Sequence, residues 1–177
     1  DTRPLPTPFV VLATQNPVEQ AGTYPLPEAQ IDRFLMRLVV GYPSADDERR
    51  VLRRFLEGAP VARTVLEAGQ VLTMQELVLA VHVEESILDY VVRLAAHTRQ
   101  QARVLLGASP RAALGVVLAA RARALGSGRP FVLPDDVKAL AVPVLAHRLV
   151  LTPEAEMEGA SAQALIEKAV SEVPHRA

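Results

Sequence analysis

The chain has 177 residues, half of them hydrophobic, a net charge of −1 and no cysteine. That is enough for one ordinary domain, or a small domain with part of another; it excludes disulfides, thiolate metal sites and cysteine nucleophiles, and no apolar run approaches the roughly 18 residues of a bilayer span. Arg supplies 17 of the 19 basic residues, but 20 acidic residues balance them and leave no global field to recruit nucleic acid.

Aromatics make up only 4% of the chain and Trp is absent, so its core must be built from Ala, Val and Leu, which suits close helix packing. In chain order, a Pro-rich lead to Pro8 reads as a loop, and Phe9 to Ala13 reads as a short strand buried on both faces. The run stops at Thr14, Gln15, Asn16 and Pro17, where ligands meet open α/β sheets, and the Asn16 amide can address a substrate or a water there. Gly22, Pro25 and Pro27 then bar regular structure until a short helix, Glu28 to Asp32, delivers Arg33 before a second strand, Leu35 to Val40. Two short strands cannot form a stable sheet by themselves, so more sheet is expected elsewhere and the chain is expected to begin inside an α/β domain. Neither a G-x-x-x-x-G-K-[ST] loop nor the apolar-then-acidic strand of a magnesium site occurs in the sequence.

Ser44 opens a helix with Asp46, Asp47 and Glu48 in its first turn, a good start signal, and Asp46 with Arg50 offers an i,i+4 pair. Arg49, Arg50, Arg53 and Arg54 share its polar side, read as a solvated face and not as a nucleic-acid patch. Looser Gly, Ala and Pro composition from Glu57 to Gly69 marks a linker into a helical unit. That unit opens with a Thr73/Glu76 capping box and a Met74 to Ala80 helix, followed by a longer helix from Glu84 to about Ala102 that buries Ile87, Leu88, Val91, Val92, Leu94 and Ala95. None of His82, His97, His147 and His175 shows metal-ligand spacing. Ser109 and Pro110 cap a further helix and put Arg111 in its first turn, against the dipole. Such an arginine either extends into water or meets an anion bound at the free N–H groups, and the local pattern leaves both open. Leu133 to Asp136 starts another helix, which Pro143 should kink or end, and Ala160 to about Val173 forms the last.

The segments ATQNP, GTYPLPEAQIDRF and YPSADDERR, with the later LGASPRAAL and FVLPDDVKALAVPVLAHRLVL, resemble the MoxR-type AAA+ ATPases over nearly the whole chain. The resemblance implies an α/β remnant of a AAA+ nucleotide-binding domain over 1–57, a linker over 58–70 and an all-α helical lid over 71–177, mostly helical overall. It makes Asn16 sensor 1, Arg33 the arginine finger and Arg111 sensor 2, acting in its own or a neighbouring subunit, with no metal ligand among these residues. ATP and Mg2+ are then expected to be held mainly by an N-terminal half not in this sequence, so that these residues alone are inactive. A cytoplasmic homo-oligomeric ring, hexameric by resemblance, is implied, using ATP hydrolysis for chaperone-like remodelling of a protein client or for metal or cofactor insertion. The competing readings are a non-catalytic helical interaction module and a related chelatase or helicase motor.

Overall fold

A computed structural model describes residues 2–15, 26–58 and 61–175. Burial divides these residues sharply. No described side chain before Val81 is buried, whereas a continuous apolar core runs from Val81 to Val173.

Phe9 to Ala13 and Leu35 to Val40 carry no strand hydrogen bonds, contrary to expectation, and Leu12 and Val40 are over 90% exposed. The reason is the one that made a larger sheet necessary: a strand exists only through its neighbours, and no described segment pairs with either run. Between them lies α1, Glu28–Ile31, a single turn, far shorter than the roughly 12–15 residues a stable isolated helix needs, and held by Pro27 carbonyl contacts.

The second helix, α2, spans Ala45–Leu56 and is capped as expected, Ser44 Oγ accepting from the Asp47 N–H at 3.2 Å. Its ion pairs fall at i,i+3, Asp46 with Arg49 and Asp47 with Arg50, and not at the expected Asp46–Arg50 spacing. The third, α3, runs over Ala68–Ala80, starting six residues before the expected Met74. Gln70 Oε1 accepts the Glu67 N–H at 2.8 Å, so the capping side chain lies at Gln70, and Thr73 sits inside the helix bonded to the Gly69 carbonyl.

The bundle proper comprises α4 (Glu85–Gln100), α5 (Pro110–Gly126), α6 (Pro134–Leu145), α7 (Pro153–Met157) and α8 (Ala162–Glu172). On α4 the core face is Ile87, Tyr90, Val91, Leu94, Ala95 and Thr98; Val92 is exposed instead. Ala112, Gly115, Val116, Ala119, Ala120 and Ala124 give α5 a smooth buried face on which α4 and α6 pack closely. Pro143 does not stop α6: the helix reaches Leu145 and tightens into a 3-10 turn, Ala146–Arg148. A departure from the all-α expectation is a small antiparallel pair inside the bundle, β1 (Val104–Leu106) with β2 (Val150–Leu151), too short for alternation to be read.

Candidate functional site

Between β1 and α5 the chain must turn sharply across α4, and Gly107 makes this possible because a Cβ there would lie 2.7 Å from the Arg99 backbone. Thr98, fully buried, accepts the Ala108 N–H at 2.9 Å while donating to the Ala95 carbonyl, and Arg99 Nε donates to the Ala108 carbonyl at 2.7 Å. The start of α5 is thereby fixed from below. Ser109 Oγ caps it by accepting the Ala112 N–H, Pro110 takes the first helical position, and Arg111 projects exposed from the first turn.

The turn that carries Arg33 docks on this same helix start. Ser109 Oγ donates to Asp32 Oδ1 at 3.3 Å, and the Arg148 guanidinium lies beside that carboxylate, Nε to Oδ1 also 3.3 Å. Arg148 Nη2 donates to the Asp32 carbonyl at 3.2 Å and to the Phe34 carbonyl at 2.6 Å. His147 Nε2 donates to the Phe34 carbonyl at 3.3 Å, and the Arg37 N–H donates to the Pro143 carbonyl at 2.8 Å. Arg33 itself is exposed, and among the described residues it forms no ion pair; Asp32 gives its carboxylate to Arg148 instead. Arg33 follows Asp32 directly and Arg111 follows Ser109 by two residues, so the fold brings the two elements that carry them into contact. Asn16 lies outside the described residues.

Arg148 is 3% exposed at its side chain. Burial pulls its pKa down, the Asp32 carboxylate opposes that, and Arg111 adds to the lowering, so Arg111 sits within electrostatic range of the joint. The guanidinium has room because residue 115 has no side chain: a Cβ there would come within 3.0 Å of Nη1. Asp32, His147, Arg148 and Gly115 were not singled out from sequence as site residues. Two signals could have found them, a lone charge within the apolar run LAHRLVL and a glycine inside a helical pattern.

Chemically, a helix N-terminus with free N–H groups and a first-turn guanidinium favours an anion such as a phosphate. Among the described residues no group of three or more His, Asp or Glu side chains converges to hold a metal, and no helix is long and apolar enough to cross a membrane.

The described residues thus hold a helical bundle and, before it in the chain, an arginine-bearing turn that docks on the N-terminus of α5. The AAA lid domain family matches residues 96–169, and the ATPase family associated with various cellular activities (AAA) matches residues 1–36. A Cytophaga hutchinsonii crystal structure, described as a candidate ATPase, superposes with a TM-score of 0.91 at 37% identity, over 99% of this chain and 56% of that one. The relatives narrow the class. Chaperone MoxR1 of Mycobacterium tuberculosis is 44% identical over 97% of this chain and 48% of its own length, and Protein MoxR of Paracoccus denitrificans is 33% identical over 93% and 55%. The Bacillus subtilis protein YeaC, itself uncharacterized, is 44% identical over 97% and 54%. Over nearly its whole length the chain is similar to the MoxR-type AAA+ ATPases, and it spans about half the length of the curated relatives it matches.

Proposed function

We propose that these residues are the sensing and coupling part of a MoxR-type ATPase that turns ATP binding and hydrolysis into chaperone-like remodelling of a protein client, or into metal or cofactor insertion. In this reading Arg33 is the arginine finger given to a neighbouring subunit's nucleotide, Arg111 is sensor 2 and Asn16 is sensor 1. The assembly is a cytoplasmic homo-oligomeric ring, hexameric as in the family. The observation that carries the reading is the contact of Asp32 with Ser109, which joins the Arg33 turn to the helix start bearing Arg111.

The first-turn position of Arg111 opposes the dipole of α5 by a few tenths to about 1 kcal/mol, and a bound phosphate converts that cost into attraction. Arg33, exposed past the end of α1, is free to leave its own subunit. ATP fits the chain at its phosphate end, through Arg111 and the start of α5. For Mg2+ the described residues offer no ligand set, so the ion and most of the triphosphate cradle are assigned to residues other than those described. Mg2+, when bound, would offset charge on the phosphates; the task of Arg33 is to stabilise charge on the transferring phosphoryl group.

The test is Arg33→Ala in the intact protein. Turnover should fall by about 10³-fold or more while nucleotide affinity stays nearly unchanged, since a finger acts in the transition state and not in the ground-state cradle. Mixing such subunits with subunits disabled in their own phosphate loop should restore hydrolysis. Confirmed mixed rings with no restored activity contradict a finger acting in trans.

A further inference from the structure

We infer that Arg148 is a positioning residue that locks the Arg33 turn to the start of α5, so that Arg33 and Arg111 respond to nucleotide as one body. The inference rests on the proposed roles of those two arginines and adds the part that connects them.

The geometry is specific. A single guanidinium, nearly sealed from water, reaches two carbonyls of the turn, those of Asp32 and Phe34, and lies against the Asp32 carboxylate. The same carboxylate accepts from Ser109, the residue that caps α5. The path from Arg33 to Arg111 is therefore three steps, Arg33 to Asp32 along the chain, Asp32 to Ser109 by hydrogen bond, and Ser109 to Arg111 through the first turn, with Arg148 holding the middle.

Arg148 keeps unused capacity: among the described residues Nη1 is buried without a hydrogen-bond partner, and Nε has only its 3.3 Å approach to Asp32 Oδ1. A buried guanidinium left partly unsatisfied is a poor device for stability alone, because an apolar side chain of similar volume is often as good or better. Its fork does what an apolar side chain cannot, fixing the orientation of the turn by its main chain and thereby the direction in which Arg33 leaves it. The Arg37 N–H bond to the Pro143 carbonyl and the His147 bond to Phe34 close the far side of the joint.

The experiment uses the intact ATPase with three readouts: turnover, nucleotide affinity, and hydrogen exchange over residues 33–37, which reports opening of the joint whether or not catalysis occurs. Arg148→Met should speed exchange there and lower kcat, each by about tenfold, while nucleotide affinity changes by less than about threefold. Arg148→Lys should recover part of kcat by keeping the charge beside Asp32 without the fork. In a double-mutant cycle, Arg111→Ala should cost distinctly less in the Arg148→Met background than in the wild type, because the two sites are already uncoupled; a purely structural Arg148 predicts additivity. Should Arg148→Met not fold, Gly115→Ala is the second variant. Its Cβ displaces Nη1 while leaving every charge in place, and it should shift exchange and kcat in the same direction by a smaller factor.

Arg33→Ala separates the two levels of argument. If it keeps full turnover, the finger reading fails and the positioning role with it. If it is inactive while Arg148→Met opens the joint and leaves kcat within about threefold of wild type, or Gly115→Ala opens it and leaves kcat unchanged, the finger stands and the positioning role alone is overturned.

Discussion

His147 shows how a single residue reports on the joint. Because the Phe34 carbonyl can only accept, Nε2 carries the ring hydrogen, and among the described residues Nδ1 is buried without a hydrogen-bond partner. Burial holds the pKa of the ring below its ordinary value; the Phe34 and Pro143 carbonyls oppose this, and the nearby Arg148 and Arg37 reinforce it. A histidine kept neutral in the fold binds fewer protons there than in the unfolded chain. Its contribution to stability is therefore complete above the unfolded value of about 6.5 and is lost as the pH falls below it. Melting temperature should fall between pH 7.5 and pH 5.5, and the fall should be smaller in His147→Gln, whose amide can still donate to Phe34. The other histidines and the carboxylates are common to both proteins and cancel in the comparison. Equal falls would place His147 in solvent in the folded state.

Among the elements, α6 depends most on one side chain. Asp136 is 3% exposed and takes two hydrogen bonds from Arg129, at 2.8 and 2.7 Å, and one from the Leu133 N–H. Burial alone would raise its pKa, but the Arg129 bonds, the Leu133 N–H and the charges of Arg129 and Arg123 together bring it below the ordinary carboxylate value. Asp136→Ala should cost about 3 kcal/mol, read as a drop in the denaturation midpoint, because it removes a helix cap and strands a guanidinium. A loss under about 0.5 kcal/mol would reduce the pair to surface decoration. The elements also separate what local chemistry specifies from what only tertiary structure specifies. Ser44 before three acids and Ser109-Pro110 before a long Ala-rich run are legible because capping is a contact between near neighbours in sequence. The start of α3 was misplaced because Thr73/Glu76 and Glu67/Gln70 both carry a capping pattern, and only the fold selects between them. Tyr90 and Thr98 on α4 are in the core through contacts with residues beyond their helix: Tyr90 packs edge-on to the His175 ring, and the Thr98 hydroxyl accepts the Ala108 N–H. The Asp32, Ser109 and Arg148 cluster was invisible for the same reason: its members stand 77 and 116 positions from Asp32.

For the whole molecule, the core is confined to the part from Val81 onward, while Phe9, Val10, Leu12, Leu38, Val39, Phe55 and Leu56 all remain exposed. No glycine-rich phosphate loop occurs in the sequence, and the described residues contain no metal-holding cluster. The 177-residue chain, taken alone, should therefore neither bind ATP tightly nor hydrolyse it. Calorimetry that detected micromolar, magnesium-dependent binding by this chain would show that the cradle is built differently from the proposal.

The joint between the arginine turn and the bundle is read mostly through the main chain: the carbonyls of Asp32, Phe34 and Pro143 accept, and the N–H of Arg37 donates. Every residue type offers the same carbonyl, and every one but proline the same N–H. The side chains at 34 and 37 are thus at liberty to drift between lineages without loosening the attachment, whereas a proline arriving at 37 would break it. Natural selection can then re-dress the surface around Arg33 while inheriting the attachment unchanged.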